Sequence, residues 1–247
     1  MPSHPEPVVL VTGAARRVGA AIARVLHGRG CRMVLHYRGS AADAQSLAAE
    51  LGQARPGSTA LVQADLADPA APAVLVQAAL DRFGRLDGLV NNASAFRPTP
   101  VGETGQDDWD DLFASNARAP LFLSQAAAPH LAAAEGAIVN LVDIYAERPL
   151  ARHTVYVMAK AALAAMTLSL ARELGPAVRV NGVAPGAVMW PEEGKAYADQ
   201  QALLAGTALK RMGRPEDVAG AVAFLLLDAP YVTGEILRVD GGRWLAI

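Results

Sequence analysis

Tyr156 and Lys160 stand four residues apart, a spacing that puts two side chains on one face of a helix. An ammonium beside a phenol favours the phenolate and lowers a pKa that is otherwise about 10. Such a pair is a proton donor usable near neutral pH. Asp143 lies shortly before it, at the end of an apolar run that reads as a strand. Asn116 sits among Phe113, Ala117, Leu121 and Phe122, and a polar residue buried there needs a hydrogen-bond partner. A Tyr and a Lys four apart are also a common accident of helical sequences. Only the elements that position them decide between the two readings.

Those elements begin with Val8–Val11, a continuous apolar run of the kind found in strands buried on both faces of a parallel sheet. Thr12-Gly13-Ala14-Ala15-Arg16-Arg17-Val18-Gly19 follows, and then an amphipathic helix over Ala20–Arg29. A glycine turn between strand and helix is either a plain connection or a phosphate cradle. The next strand, Arg32–Tyr37, leads into Arg38-Gly39-Ser40. Its C-terminal end is where the adenosine ribose of a dinucleotide lies. No carboxylate stands there to bind ribose hydroxyls. Arg38, Ser40, Arg16 and Arg17 instead suit a 2′-phosphate, unless the arginines are simply solvated.

Further strands read as Thr59–Ala64, Leu86–Val90, Gly136–Val142, Val178–Val183 and Glu235–Val239, making about seven in all. Asp65-Leu66 ends the third, placed to touch an adenine edge. Asn91-Asn92-Ala93-Ser94-Ala95-Phe96 follows the fourth, as turn chemistry or as a brace around a cofactor. Helices read as 41–55, 69–83, 109–131 with a bend at Pro120, 153–174 and 215–227. Ala187–Leu209, after Pro185-Gly186, has little apolar period and is the expected substrate lid. The alternation predicts an α/β fold: a single-domain, Rossmann-type, doubly wound parallel sheet over residues 1–247, with helices on both faces.

A net charge of -2 leaves no basic excess for nucleic acid or an anionic membrane. One cysteine, Cys31, forbids an internal disulfide framework and suits a reducing compartment. No apolar run in the sequence approaches the roughly 18 residues a membrane span needs, and Met1–Pro7 is polar and lacks a signal-peptide pattern. The expected location is cytoplasmic, with no metal site.

Taken in order, Thr12-Gly13-x-x-x-Arg17-x-Gly19, Asn91-Asn92-Ala93, Asn116, Tyr156-x-x-x-Lys160, Pro185-Gly186 and Asp240-Gly241-Gly242 resemble the short-chain dehydrogenase/reductase family along essentially the whole chain. The resemblance implies that Tyr156 is the general acid and that Lys160 binds the nicotinamide ribose. It also implies that Asn116 orders a water leading to Lys160. Most of the family carries serine where Asp143 stands. An aspartate there resembles the pteridine reductase subgroup, as do Leu35-His36-Tyr37 with Ser40, and Asn92-Ala93-Ser94 with Phe96.

That subgroup implies NADPH held by Gly13, Arg16, Arg17, Val18, Tyr37, Arg38, Ser40, Asp65, Leu66, Asn92, Ala93, Ser94, Tyr156, Lys160, Pro185, Gly186 and Val188. It implies a flat pterin or folate held by Arg17, Ser94, Phe96, Asp143 and Tyr156. Phe96 stacks on the substrate in that reading and merely covers the core in the other. A carboxylate beside the phenol repels a carbonyl oxyanion and suits a basic ring nitrogen. A carbonyl reductase acting on a 3-oxoacyl thioester or another ketone is the alternative, and a non-catalytic NADPH-binding regulator is a third. Family resemblance suggests a homotetramer formed through residues 109–131, 153–174 and 231–247. The apolar ending Trp244-Leu245-Ala246-Ile247 serves that interface or is buried within its own chain.

Overall fold

The computed structural model describes residues 6–188 and 200–246. Seven strands form one parallel sheet: β1 (Val8–Val11), β2 (Arg32–Tyr37), β3 (Thr59–Gln63), β4 (Gly88–Asn91), β5 (Ala137–Leu141), β6 (Arg179–Pro185) and β7 (Ile236–Val239). Their order is β3-β2-β1-β4-β5-β6-β7. β1, β4 and β5 are buried at every residue, which is why they read as unbroken Val/Ile/Leu runs rather than alternating ones.

The α-helices among the described residues are α1 (Arg17–Gly28), α2 (Ala41–Ala54), α3 (Ala71–Phe83), α4 (Gln106–Phe113), α5 (Ala119–Ala133), α6 (Thr154–Leu174), α7 (Gln200–Ala205) and α8 (Pro215–Ala223). One core layer joins α1 and α8 to the sheet through Ile22, Leu26, Val218 and Val222. A second, on the other face, gathers Leu75, Leu123, Leu131 and Val180. Chain order reverses between β1 and β4, and a doubly wound sheet opens its ligand crevice at such a point.

Several expectations are corrected. α1 begins at Arg17, not Ala20, so both loop arginines belong to its start. The long helix expected over 109–131 is two helices joined by a π-helical turn, Ala114–Arg118. The break centres on Asn116 rather than Pro120. Asn116 Nδ2 donates to the Leu112 carbonyl at 2.9 Å and so competes with the helical ladder, and Ala119 N–H reaches back to the Ala114 carbonyl. Pro120 falls in the first turn of α5, which accepts its fixed φ, and it offers no N–H to the carbonyl of Asn116 four residues back.

α8 likewise gives way to a π-helical turn, Phe224–Asp228. Of the expected lid, residues 189–199 lie outside the described residues, and Gln200–Ala205 is helical. α6 is long and apolar enough to cross a membrane by length and composition, which the sequence reading did not expect. In the fold its Val155, Tyr156, Ala159, Lys160 and Leu163 are buried against neighbouring elements.

Candidate active site

The glycine turn after β1 is braced from three sides. Thr12 Oγ1 accepts from the backbone N–H groups of Asn92 (2.9 Å) and Ala93 (3.0 Å). Asn92 Nδ2 donates back to the carbonyls of Thr12 (2.8 Å) and Gly13 (3.1 Å). The asparagine after β4 is therefore a brace between the two strand ends at the crevice. Gly13 has φ +62, and a methyl group on Gly19 would run into the Gly13 carbonyl and come within 2.7 Å of Asn92 Nδ2.

Arg17 has φ +55, the left-handed region in which a residue with a Cβ is strained by about 1–2 kcal/mol. Strain of that kind persists where the surroundings fix the residue for a purpose. Here it sets the guanidinium-bearing residue at the mouth of the cradle. No acidic residue occupies the first turn of α1. Its N-terminal N–H groups and dipole therefore favour an anion.

The third brace is His36, which the sequence reading named only within Leu35-His36-Tyr37 and gave no role of its own. His36 is 2% exposed. Its Nδ1 accepts from Gly13 N–H at 3.1 Å, so the ring proton sits on Nε2, which donates to the Ala64 carbonyl at 3.1 Å. Burial pushes the imidazole below its ordinary pKa, which keeps it neutral as this double role requires. His36 thus ties the glycine turn to the end of β3, where Asp65 and Leu66 follow. A His on a buried strand next to a glycine turn was the available signal. Asp65 Oδ1 caps its own turn by accepting from Ala67 N–H at 2.9 Å. Arg38 is exposed beside the cradle, and Arg16 lies 3.7 Å from Asp43, both groups half exposed.

Beyond the cradle, Tyr156 Oη donates to Asp143 Oδ2 at 2.6 Å. Asp143 Oδ1 accepts from Tyr145 N–H at 2.9 Å, which starts the 3₁₀ turn Ile144–Ala146. Lys160 Nζ donates to the Leu141 carbonyl at 2.7 Å and lies 5.9 Å from the Tyr156 ring centroid. Burial pushes the Asp143 carboxyl above its usual range, against hydrogen bonds from Tyr145 and Tyr156 and the charge of Lys160. Burial pushes the Lys160 ammonium down to about 8, against the pull of Asp143. Burial thus moves the acid up and the base down, toward each other, as suits a pair that passes a proton.

α6 is held in place by a buried polar chain across the sheet. Asn91 and Asn140 are register partners on β4 and β5. Asn91 Nδ2 donates to Asn140 Oδ1 at 2.8 Å, and Asn140 Nδ2 donates to Thr167 Oγ1 on α6 at 2.9 Å. Asn116 is fully buried. Its Oδ1 accepts from Ser94 Oγ at 2.7 Å and its Nδ2 donates to the Ala95 carbonyl at 2.9 Å. That side chain fixes the loop after β4 and does not itself reach Lys160.

Phe96 meets Tyr156 edge-on, with centroids 4.8 Å apart, and is stacked on His153 at 4.6 Å. Pro185 and Gly186 end β6 against the last motif: a methyl group on Gly186 would come within 2.7 Å of Asp240 Cβ. Asp240 in turn accepts from Gly242 and Trp244 N–H groups. Val188 forms a bridge with Gly213 at the edge of the expected lid. Among the described residues, no cluster of His, Cys, Asp and Glu could hold a metal.

A glycine turn at the switch point of a parallel sheet, with a buried Tyr/Lys pair on the next strand–helix unit but one, is an arrangement suited to an oxidoreductase that binds a dinucleotide. The comparisons agree. Residues 13–243 match a family model described as enoyl-(acyl carrier protein) reductase. The chain is 40% identical, over 280 aligned positions, to pteridine reductase 1 of Leishmania tarentolae, covering 97% of both chains. It is 33% identical to a 3-oxoacyl-(acyl-carrier-protein) reductase of Staphylococcus aureus, with 96% of this chain and 97% of the relative covered. It is also 33% identical to a short-chain type dehydrogenase/reductase of Picea abies, with 96% and 92% covered. The chain belongs to the short-chain dehydrogenase/reductase family and is an oxidoreductase of it.

Proposed function

We propose that this protein is an NADPH-dependent reductase of pterin-like rings, taking a dihydropterin or dihydrofolate to the tetrahydro form. The observation that carries the reading is the 2.6 Å bond from the Tyr156 phenol to a half-buried carboxylate, Asp143. The similarity to a pteridine reductase supports it. A carboxylate there repels an oxyanion forming on a carbonyl substrate and favours a ring nitrogen that gains a proton.

The cradle fits a dinucleotide phosphate, since glycine at 13 and 19 lets the turn and the start of α1 pack directly against Asn92 and Ala93, and α1 offers its N-terminus. Arg38, Ser40 and Arg16 hold the 2′-phosphate in this reading, and Asp65 and Leu66 border the adenine. Bound there, the reduced dinucleotide supplies a hydride. Tyr156 supplies the proton to the substrate nitrogen, and Asp143 and Lys160 restore it. Asn116 supports a water path to Lys160, because Pro120, four residues on, has no N–H to offer the Asn116 carbonyl. Phe96, Ser94 and Arg17 orient the flat ring, so that geometry contributes to the rate.

Oxidation of NADPH with dihydrobiopterin or dihydrofolate is the test. Consumption with either supports the reading, and consumption only with ketones replaces it with a carbonyl reductase, which the 3-oxoacyl reductase similarity favours. The proposed oligomer is a homotetramer. Trp109, Leu121, Phe122, Met158 and Leu168 on α4, α5 and α6 are exposed and apolar, and Leu245 near the C-terminus is 78% exposed. Light scattering on the purified protein gives the mass.

A further inference from the structure

The start of α6 lacks a cap of its own. His153 occupies the N-cap position and makes no side-chain capping bond. Its ring Nδ1 pairs instead with the Ala151 carbonyl at 2.8 Å. Val155 lies in the first turn of α6, where backbone N–H groups lack the usual acceptor four residues back in the helix. Its N–H is met from elsewhere in the chain. Thr99 Oγ1 accepts from Val155 N–H at 3.2 Å. Thr99 N–H donates to the Arg152 carbonyl at 2.6 Å, and Thr99 pairs with His153 as a parallel bridge. Thr99 is 1% exposed.

The sequence explains why this segment can serve as a clamp. Thr99 stands between Pro98 and Pro100, which fix their own φ and hold the residues before them extended. Arg97 anchors the same segment to α4 through Asp108 (2.9 Å) and Asp111. Phe96 closes the contact by stacking on His153. The loop bearing Ser94 and Phe96 and the first turn bearing Tyr156 are therefore one bonded unit.

We propose that Thr99 is a positioning residue for Tyr156: its hydroxyl caps the catalytic helix from the substrate loop and so fixes the phenol against Asp143. The proposal rests on Tyr156 being the proton donor. Thr99→Val keeps the shape and removes the hydroxyl, and Thr99→Ser restores it. Losing one cap of ordinary strength opens a first turn roughly fivefold more often.

Two measurements on the full-length protein test it. Amide exchange at Val155 and Tyr156 should quicken roughly fivefold in Thr99→Val and return in Thr99→Ser. In steady state with NADPH and dihydrobiopterin, kcat should fall by a comparable factor while the NADPH Kd stays within about twofold, again with rescue by serine. Unchanged exchange in Thr99→Val, or a serine variant as impaired as the valine one, overturns the proposal. A fall in kcat matched by the same loss of NADPH affinity overturns it too, since that marks general loosening. A wild-type protein that turns over no pterin overturns the proposed function instead, and amide exchange alone then decides the role of Thr99.

Discussion

Replacing Asp143 by serine tests the proposed chemistry most directly. The substitution removes an acceptor 2.6 Å from the Tyr156 phenol and another that takes Tyr145 N–H at 2.9 Å. A serine hydroxyl is shorter by one heavy-atom bond and carries no charge. Positioned acid–base groups contribute about 10²- to 10⁴-fold, so pterin kcat/KM should drop at least about 100-fold, or about 2.7 kcal/mol. The cradle at Gly13, Gly19 and Arg38 is left intact, and NADPH Kd should change by less than about threefold.

The pH profile carries a second sign. Asp143 is the charge that holds the Lys160 pKa up against burial. Without it, burial acts unopposed and the lysine loses its proton at lower pH than its present value of about 8. The alkaline limb of kcat should move to lower pH. Steady-state kinetics from pH 5 to 9, fluorescence titration with NADPH and a melting curve together read these effects. A serine variant that keeps pterin turnover within about threefold of wild type would falsify the assignment. Equal losses of turnover and NADPH affinity would also refute it, by showing that Asp143 supports the cradle rather than the chemistry.

Gly19→Ala drives a methyl group into the Gly13 carbonyl, so NADPH affinity should fall at least about tenfold, with a lower melting temperature, by titration and calorimetry. His36 is kept below its ordinary 6.5 by burial, so its contribution to stability is complete above that pH and is lost as pH falls through it. His36→Gln keeps a donor and an acceptor but no titration, and its melting temperature should decline less steeply than that of wild type between pH 7 and 5. Arg38→Glu should lower kcat/KM with NADPH about tenfold or more and leave NADH nearly unchanged, as paired initial rates would show. Asn140→Val leaves Asn91 and Thr167 without their buried partner, for about 1–3 kcal/mol of lost stability in chemical denaturation.

The sequence by itself determined the strands and their order of use. Apolar runs located all seven to within two or three residues, because a strand covered on both faces has no polar side to confuse the pattern. Gly13 and Gly19 announced the cradle, since both the turn and the close approach to Asn92 exclude a side chain. Tyr156 and Lys160 share a helix, so their relation is local and readable from spacing.

Only the tertiary structure decided the rest. Asp143 meets Tyr156 across thirteen residues because a strand end and a separate helix converge. Asn91 meets Asn140 because two strands pair in one register and not the next. His36 bridges Gly13 and Ala64, and Asn116 turns inward to Ser94 and Ala95, for reasons that lie in neighbours far along the chain. Periodicity records which face of an element is buried. It carries no record of which polar atom waits on the other side, and that pairing, fixed by packing, turns a common Tyr and Lys into a site.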